Sequence, residues 1–458
     1  MVFSSLIFLY AFLPAVLLVY FLAPGRVKNT VLLLSSLVFY AWSELRYLPL
    51  ILCTIATGYG AGLAIGRFRR HGKVILVLEA VLCLGSLGLF KYANLLLEAL
   101  GGVFRLELPL WRLALPLGIS FYTFQILSYA VDVYRGTVEP QKNPIDFGVY
   151  VVFFPQLIAG PIVRYQELAP QLKSRRSTLD GAYEGAVRFL TGLGKKVLLA
   201  NPLGAICSAY GESTAPTVLF SWLSALAFTL QIYFDFSGYS DMAVGLGRIF
   251  GFQLPENFRH PYMSSSVTAF WRRWHITLGA WFRDYVYIPM GGNRVSRARW
   301  IRNILVVWCL TGLWHGAGWN FLLWGLFFAL LLLGEKLWYG SFLERHRVFA
   351  HGYVLLALVL SFVMFQGPTV EQALSNLKAM FFLGELPLWN RESLYYLRGS
   401  LVLLLLGIMG ATPLPSRVYR RLEPVLSWVQ PVGLVLLLLV CTAYLVDGSF
   451  NPFLYFRF

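Results

Sequence analysis

The chain has 458 residues, of which 58% are hydrophobic and only 13% charged, and its formal net charge is +16. A soluble globular protein carries about 25% charged residues, so composition excludes that class. In so apolar a chain the basic excess reads as the positive-inside signal of cytoplasmic loops and not as the footprint of a nucleic-acid partner.

Apolar runs near the length of about 20 residues that crosses a bilayer core recur at roughly 2–22, 29–46, 47–65, 73–91, 112–133, 184–206, 217–235, 302–317, 319–338, 351–366, 398–411 and 430–446. The strands of a membrane β-barrel would alternate polar and apolar residues, and these runs do not. The expected fold is therefore an all-α polytopic membrane protein of about 11–12 transmembrane helices, forming one integral-membrane domain over 1–458. The first run, MVFSSLIFLYAFLPAVLLVYFLAP, lacks a basic n-region and a small-residue cleavage site, so it reads as a retained span. With the clusters Arg26–Lys28, Arg67–Lys73, Lys173–Arg176, Arg259–Arg302, Glu344–Arg347 and Arg417–Arg421 on the cytoplasmic side, both termini are expected outside. The five cysteines are scattered through apolar runs without a CxxC pair, so neither a zinc site nor a disulfide framework is indicated.

Three segments depart from ordinary spans. VYVVFFPQLIAGPIVRYQ, residues 149–166, is apolar but interrupted by Pro155, Gly160 and Pro161 and flanked by basic stretches, which suits a re-entrant segment. IYFDFSGYSDMAVGLGRIFGF, residues 232–252, reads the same way: it carries Asp235 and Asp241, carboxylates that at membrane depth face a cavity or a partner. Residues 255–300 read as a cytoplasmic interfacial segment, in which Ser265 or Ser266 caps a helix starting near Val267. On that helix Phe270, Trp271, Trp274, Leu278, Trp281 and Phe282 recur at helical spacing with Arg272, Arg273 and Arg283 interleaved. Such a helix suits either a membrane interface or the wall of a site for an anionic ligand.

From Asn303 to Gly334 there are 32 residues without Asp, Glu, Lys or Arg. As one helix they would measure about 48 Å at 1.5 Å per residue, against a hydrocarbon core of about 30 Å. The run must break, and Gly316 and Gly318 mark the place, which puts His315 at a helix end within the membrane. His275 and His315 are the histidines in apolar, aromatic surroundings. An imidazole can act as general base, and desolvation favours its neutral form. A metal site would want three ligands where these supply two at most, and neither HExxH nor GxSxG occurs.

ENFRHPYMSSSVTAFWRRWHITLGAWFRDYVYIPMGGNR followed by TGLWHGAGWNFLLWG resembles the membrane-bound O-acyltransferase family, in particular its bacterial polysaccharide O-acetyltransferase branch. MVFSS, FKYAN, LPLGISFYTFQILSYAVDVYRG, FPQLIAGPIVRY and YFDFSGYSDMAVGLG extend the resemblance nearly end to end.

The resemblance implies a ring of helices around a thin central funnel, with His315 as the catalytic base and His275 as a second functional position. Asp235, Asp241, Trp274 and Asn320 would line the cavity, and Arg272, Arg273 and Arg283 would hold the phosphates of the donor. It implies no tightly bound cofactor. The donor it implies is a cytoplasmic thioester, either acetyl-CoA or an acylated carrier protein. The implied product is an O-acetylated envelope polysaccharide, made with an extracellular or periplasmic SGNH-type acetyltransferase or esterase-like partner, and the implied location is the bacterial cell membrane. The terminal motif NPFLYFRF, residues 451–458, reads by composition as an aromatic interfacial anchor, and the resemblance implies instead that Tyr455 relays the acyl group. D-Alanyl transfer to teichoic acid, and transport of an acylated substrate, are the alternatives.

Overall fold

The computed structural model describes residues 1–106, 109–111, 113–381, 383 and 385–448, and among them every regular element is helical. Among the described residues, seven helical stretches are long and apolar enough to cross a bilayer: Gly25–Arg67, Arg69–Phe104, Val218–Ile249, Trp319–Arg345, Arg347–Gln366, Arg391–Gly410 and Gln430–Asp447. The first holds two of the runs read from sequence, Lys28–Glu44 and Leu48–Arg67, joined through the single turn Leu45–Tyr47. Helices occupy other runs as Leu13–Leu22, Ile119–Arg135 and Arg297–His315. The chain is a multi-pass helical membrane protein. It packs as two compact units, Met1–Phe189 with Ser240–Pro255, and Leu190–Tyr239 with Glu256–Phe458.

In the first unit the segment around Pro155 is irregular and buried. Helix Pro144–Val152 ends where Phe153 turns to φ −49° and ψ 108°. The backbone groups freed by the break are satisfied inside the protein: Phe154 N–H donates to Ser36 Oγ at 3.0 Å, and Gln156 Nε2 donates to the Tyr150 carbonyl at 2.6 Å. Buried backbone polar groups need such partners, and this is how a broken apolar segment stays inside the fold. Phe3, Phe8, Phe39 and Phe154 pack around one another, with the Phe3 and Phe8 rings 4.9 Å apart and those of Phe39 and Phe154 5.6 Å apart.

The expected break at 232–252 is absent, because Val218–Ile249 is one helix of 32 residues. Its carboxylates are neutralised by cations on other elements, so the backbone need not open. Lys196 Nζ lies 2.7 Å from Asp235 Oδ1 with both side chains 3% exposed, and Arg188 lies 2.6 Å from Asp241.

The interfacial helix also differs. Two short helices, Val267–Trp271 and Ile276–Phe282, replace the continuous one, and His275 between them sits at φ +46°, ψ 52°. That left-handed backbone cannot continue a helix. Phe270, Trp274, Leu278, Trp281 and Phe282 are buried in protein and do not lie against lipid. The expected cap is present: Ser266 Oγ accepts from Ala269 N–H at 3.0 Å.

The apolar run from Asn303 breaks where its length requires. Arg297–His315 ends at Gly316, and Trp319–Gly334 starts after Gly318. The two helices fold back on each other as a hairpin. A Cβ on Gly312 would strike the Phe321 carbonyl, and one on Gly325 would strike the Trp308 carbonyl. The glycines allow this backbone approach.

Candidate active site

His315 closes the last turn of its helix and is 8% exposed. Its ring is walled by aromatic edges: Trp314 at 5.0 Å, Trp324 at 5.1 Å and Phe365 at 5.5 Å between centroids. Trp319, a residue whose flanking position suggests a wall, is instead 57% exposed. Trp324 takes that place because it lies on the buried face of the returning helix.

His275 is 1% exposed and faces Phe236 at 4.7 Å and Trp314 at 5.8 Å. Trp314 therefore touches both imidazoles. Burial without a charged neighbour pushes the His275 pKa down to about 3, so the ring is neutral at physiological pH.

A cavity of about 480 Å³ opens beside His275, with Thr268, Trp271, Arg272, Arg283, Trp308 and Thr311 in its wall. Thr311 lies one turn before His315 on the same helix, and Trp308 one turn before Thr311, so these two wall residues share a helix face with His315. Arg272 also lines a second, wider cavity of about 880 Å³ with Lys336, Arg347 and His351. Thus Arg272, Arg283 and His275 share one wall. Arg283 is paired with its neighbour Asp284 at 2.6 Å, which raises its pKa.

The other expected residues have different surroundings. Arg273 offers its backbone carbonyl to Arg259 N–H at 2.9 Å. Trp274 is packed among Phe258, Phe270 and Phe362. Asp235 is held by Lys196 and Asp241 by Arg188. Asn320 Nδ2 donates to the Gly367 carbonyl at 2.8 Å, tying the hairpin turn to the end of Arg347–Gln366. Tyr455 lies outside the described residues.

Two supporting residues escaped the sequence reading. Glu335 is buried and accepts from Val267 N–H, from Thr268 N–H at 3.0 Å and from Thr268 Oγ1 at 2.8 Å, so it caps from a distance the helix that carries Trp271. Asn257 Oδ1 meets His275 Nδ1 at 3.3 Å and also accepts from Thr277 N–H and Oγ1. Neither has a spacing signal, because each acts on a segment distant in sequence or across a loop.

Long apolar helices and a hairpin that buries a histidine define a polytopic helical membrane protein with a buried polar site. The model of the MBOAT, membrane-bound O-acyltransferase family, matches residues 141–370, a stretch that includes His275 and His315. The chain is 38% identical over 499 aligned positions to the "Probable alginate O-acetylase AlgI" of Azotobacter vinelandii, covering 100% of both. It is 31% identical over 516 positions to a peptidoglycan O-acetyltransferase of Helicobacter pylori, covering 100% of this chain and 98% of that one. A teichoic acid D-alanyltransferase of Bacillus subtilis is 29% identical over 232 positions, covering 47% of this chain and 58% of the other. The chain belongs to the membrane-bound O-acyltransferase family and is an O-acyltransferase.

Proposed function

We propose that this protein moves an acetyl group from a cytoplasmic thioester across the bacterial cell membrane for O-acetylation of an extracytoplasmic polysaccharide. The observation that carries the reading is the placement of His275, Arg272 and Arg283 on the wall of one cavity that Thr311, one turn before His315 on the same helix, also lines. The names of the full-length relatives support acetyl as the group and a polysaccharide as the acceptor.

In this reading His315 removes the proton of an acceptor hydroxyl, and the oxygen attacks the thioester carbonyl. The tetrahedral intermediate collapses with cleavage of the C–S bond, and the imidazolium returns its proton to the leaving thiolate. His275 serves on the donor side, and Arg272 with Arg283 attracts the donor's phosphates. The donor is acetyl-CoA or an acylated carrier protein. Tyr455 is the first acceptor: its phenol, of pKa about 10, needs a base to attack at neutral pH. It then passes the acyl group to an SGNH-type partner outside the membrane. Both termini face outside, and the helices form a ring around a funnel.

The test is transfer from labelled acetyl-CoA by purified protein in liposomes. His315→Ala should abolish transfer, and turnover equal to wild type would overturn the mechanism. Mass spectrometry of the C-terminal peptide should find acetyl on Tyr455, and an unmodified peptide under trapping conditions would remove the relay. D-Alanyl transfer is favoured by the partial similarity to the teichoic acid enzyme. A D-alanylated carrier protein that outcompetes acetyl-CoA as donor would establish that alternative.

A further inference from the structure

We infer that Asn257 is a positioning residue that locks His275 as its Nδ1–H tautomer, so that the Nε2 lone pair accepts a hydrogen bond from an amide N–H on the arm of the thioester donor. The inference rests on the acyl-transfer reading and gives His275 a role distinct from that of His315.

The tautomer follows from donor and acceptor bookkeeping. The backbone N–H of Thr277 points at the Asn257 amide at 3.2 Å, and a backbone N–H can only donate. The amide atom facing it is therefore the oxygen, which fixes the orientation of the Asn257 side chain. That same oxygen lies 3.3 Å from His275 Nδ1 and 3.0 Å from Thr277 Oγ1. An oxygen facing Nδ1 favours the tautomer with its proton there, because two facing lone pairs would repel, and a neutral imidazole then has no proton on Nε2.

Nε2 is left without a hydrogen-bond partner among the described residues, although the side chain is 1% exposed. A buried acceptor of this kind is costly unless something fills it. His275 also lines the 480 Å³ cavity, so the empty acceptor belongs to a residue of the cavity wall.

The local backbone is built for this. The Asn257 carbonyl accepts from Ile276 N–H at 3.0 Å, and Arg259 N–H donates to the Arg273 carbonyl at 2.9 Å. Asn257 thus grips the turn through both its backbone and its side chain. The turn holds His275 at φ +46°, a left-handed conformation that non-glycine residues keep only where the surroundings impose it. The ring is neutral through the physiological range and carries no proton to give from Nε2, which suits an acceptor.

The ligand class follows from the site. The largely apolar cavity wall holds the bare His275 acceptor and the unpartnered Trp271 Nε1–H, with Arg272 and Arg283 beside them, and matches an extended arm that carries amide groups and ends in phosphate. Acetyl-CoA and a phosphopantetheine-bearing carrier protein share that chemistry.

The experiment uses the full chain in liposomes with acetyl-CoA, or with acetylated carrier protein where only that supports wild-type turnover. Asn257→Leu and His275→Leu should each raise the donor KM about 5- to 100-fold, the effect of one lost hydrogen bond to a buried group. The kcat per active site should change less than about 3-fold, as expected for binding shared by ground and transition states. Asn257→Asp keeps the acceptor and should retain a donor KM close to wild type. A loss of kcat with unchanged donor KM in Asn257→Leu would overturn the inference.

Folding defects are bypassed by nitrogen NMR of ring-labelled wild-type protein, with His275→Gln for assignment. The proton should sit on Nδ1, and a proton on Nε2 would also overturn it. His315→Ala separates the two readings: an inactive His315→Ala with an unaffected Asn257→Leu removes only the present inference.

Discussion

The indole of Trp314 stands edge-on to the imidazole of His275, with ring centroids 5.8 Å apart and planes at 69°. Trp314 immediately precedes His315 in the chain, and its ring packs on that imidazole too, at 5.0 Å and 78°. A single aromatic side chain, 3% exposed, therefore packs against both buried histidines. Edge-to-face pairs of this kind contribute about 0.5–1.5 kcal/mol beyond their buried area.

Trp314→Ala should open the space between the histidines. Truncating a buried aromatic costs about 3–5 kcal/mol, so its midpoint in thermal unfolding in detergent should fall well below that of wild type. Trp314→Phe keeps an aromatic wall and should retain most of the acyl transfer that the alanine variant loses. Equal turnover in the two variants would show that the wall has no part in the reaction.

The ion pair between Lys196 and Asp235 leads to a second prediction. Removing one partner of a buried pair leaves an uncompensated charge and costs about 3–5 kcal/mol, whereas replacing both by apolar groups is often neutral. Lys196→Met should therefore lower the unfolding midpoint sharply, and Lys196→Met with Asp235→Leu should recover most of it. A double variant as unstable as the single one would mean that the carboxylate has a further use, such as facing the donor or acceptor path.

Glu335 is expected to act through the helix it caps. Its carboxylate holds Val267 and Thr268 at the start of the segment that delivers Trp271 and Arg272 to the cavity. Glu335→Ala leaves buried donors unsatisfied, at about 1–3 kcal/mol, and frees Arg272 to move. Steady-state kinetics should show a raised donor KM, with Glu335→Gln intermediate because it retains one acceptor oxygen. An unchanged donor KM in Glu335→Ala would detach this cap from donor binding.

Much of this arrangement was legible in the residues before the fold. The break after His315 followed from the length of an uncharged run against the thickness of a bilayer, and the structure places it at Gly316. The Ser266 cap was likewise visible, because capping is a local event. What misled was periodicity across 267–282. Aromatic residues at helical spacing suggested one amphipathic helix, yet hydrogen bonds from Asn257 hold His275 in a conformation that splits it. Likewise, carboxylates suggested a break at 232–252, and the cations that remove the need for one come from distant sequence positions. Pattern reading saw which groups were expensive to bury. The compensating partners lay on other elements, where a single sequence gives no pairing.

The depressed pKa of His275 predicts how the fold responds to acid. An unfolded chain protonates this imidazole near its ordinary value of about 6.5, whereas burial holds the folded value at about 3. Above pH 6.5 the ring is neutral in both states, and its neutral burial leaves stability undiminished. As pH falls from about 6.5 towards 3, the unfolded state binds a proton that the folded state refuses, so stability declines by at most about 1.4 kcal/mol per pH unit from this group. Unfolding midpoints measured in detergent between pH 7 and pH 4, a range of about three units within which this linkage operates, should fall with acidity. His275→Gln, which cannot take up the proton in either state, should fall less steeply over the same range. Identical slopes for the two proteins would place the acid sensitivity on other groups and contradict a neutral, desolvated His275.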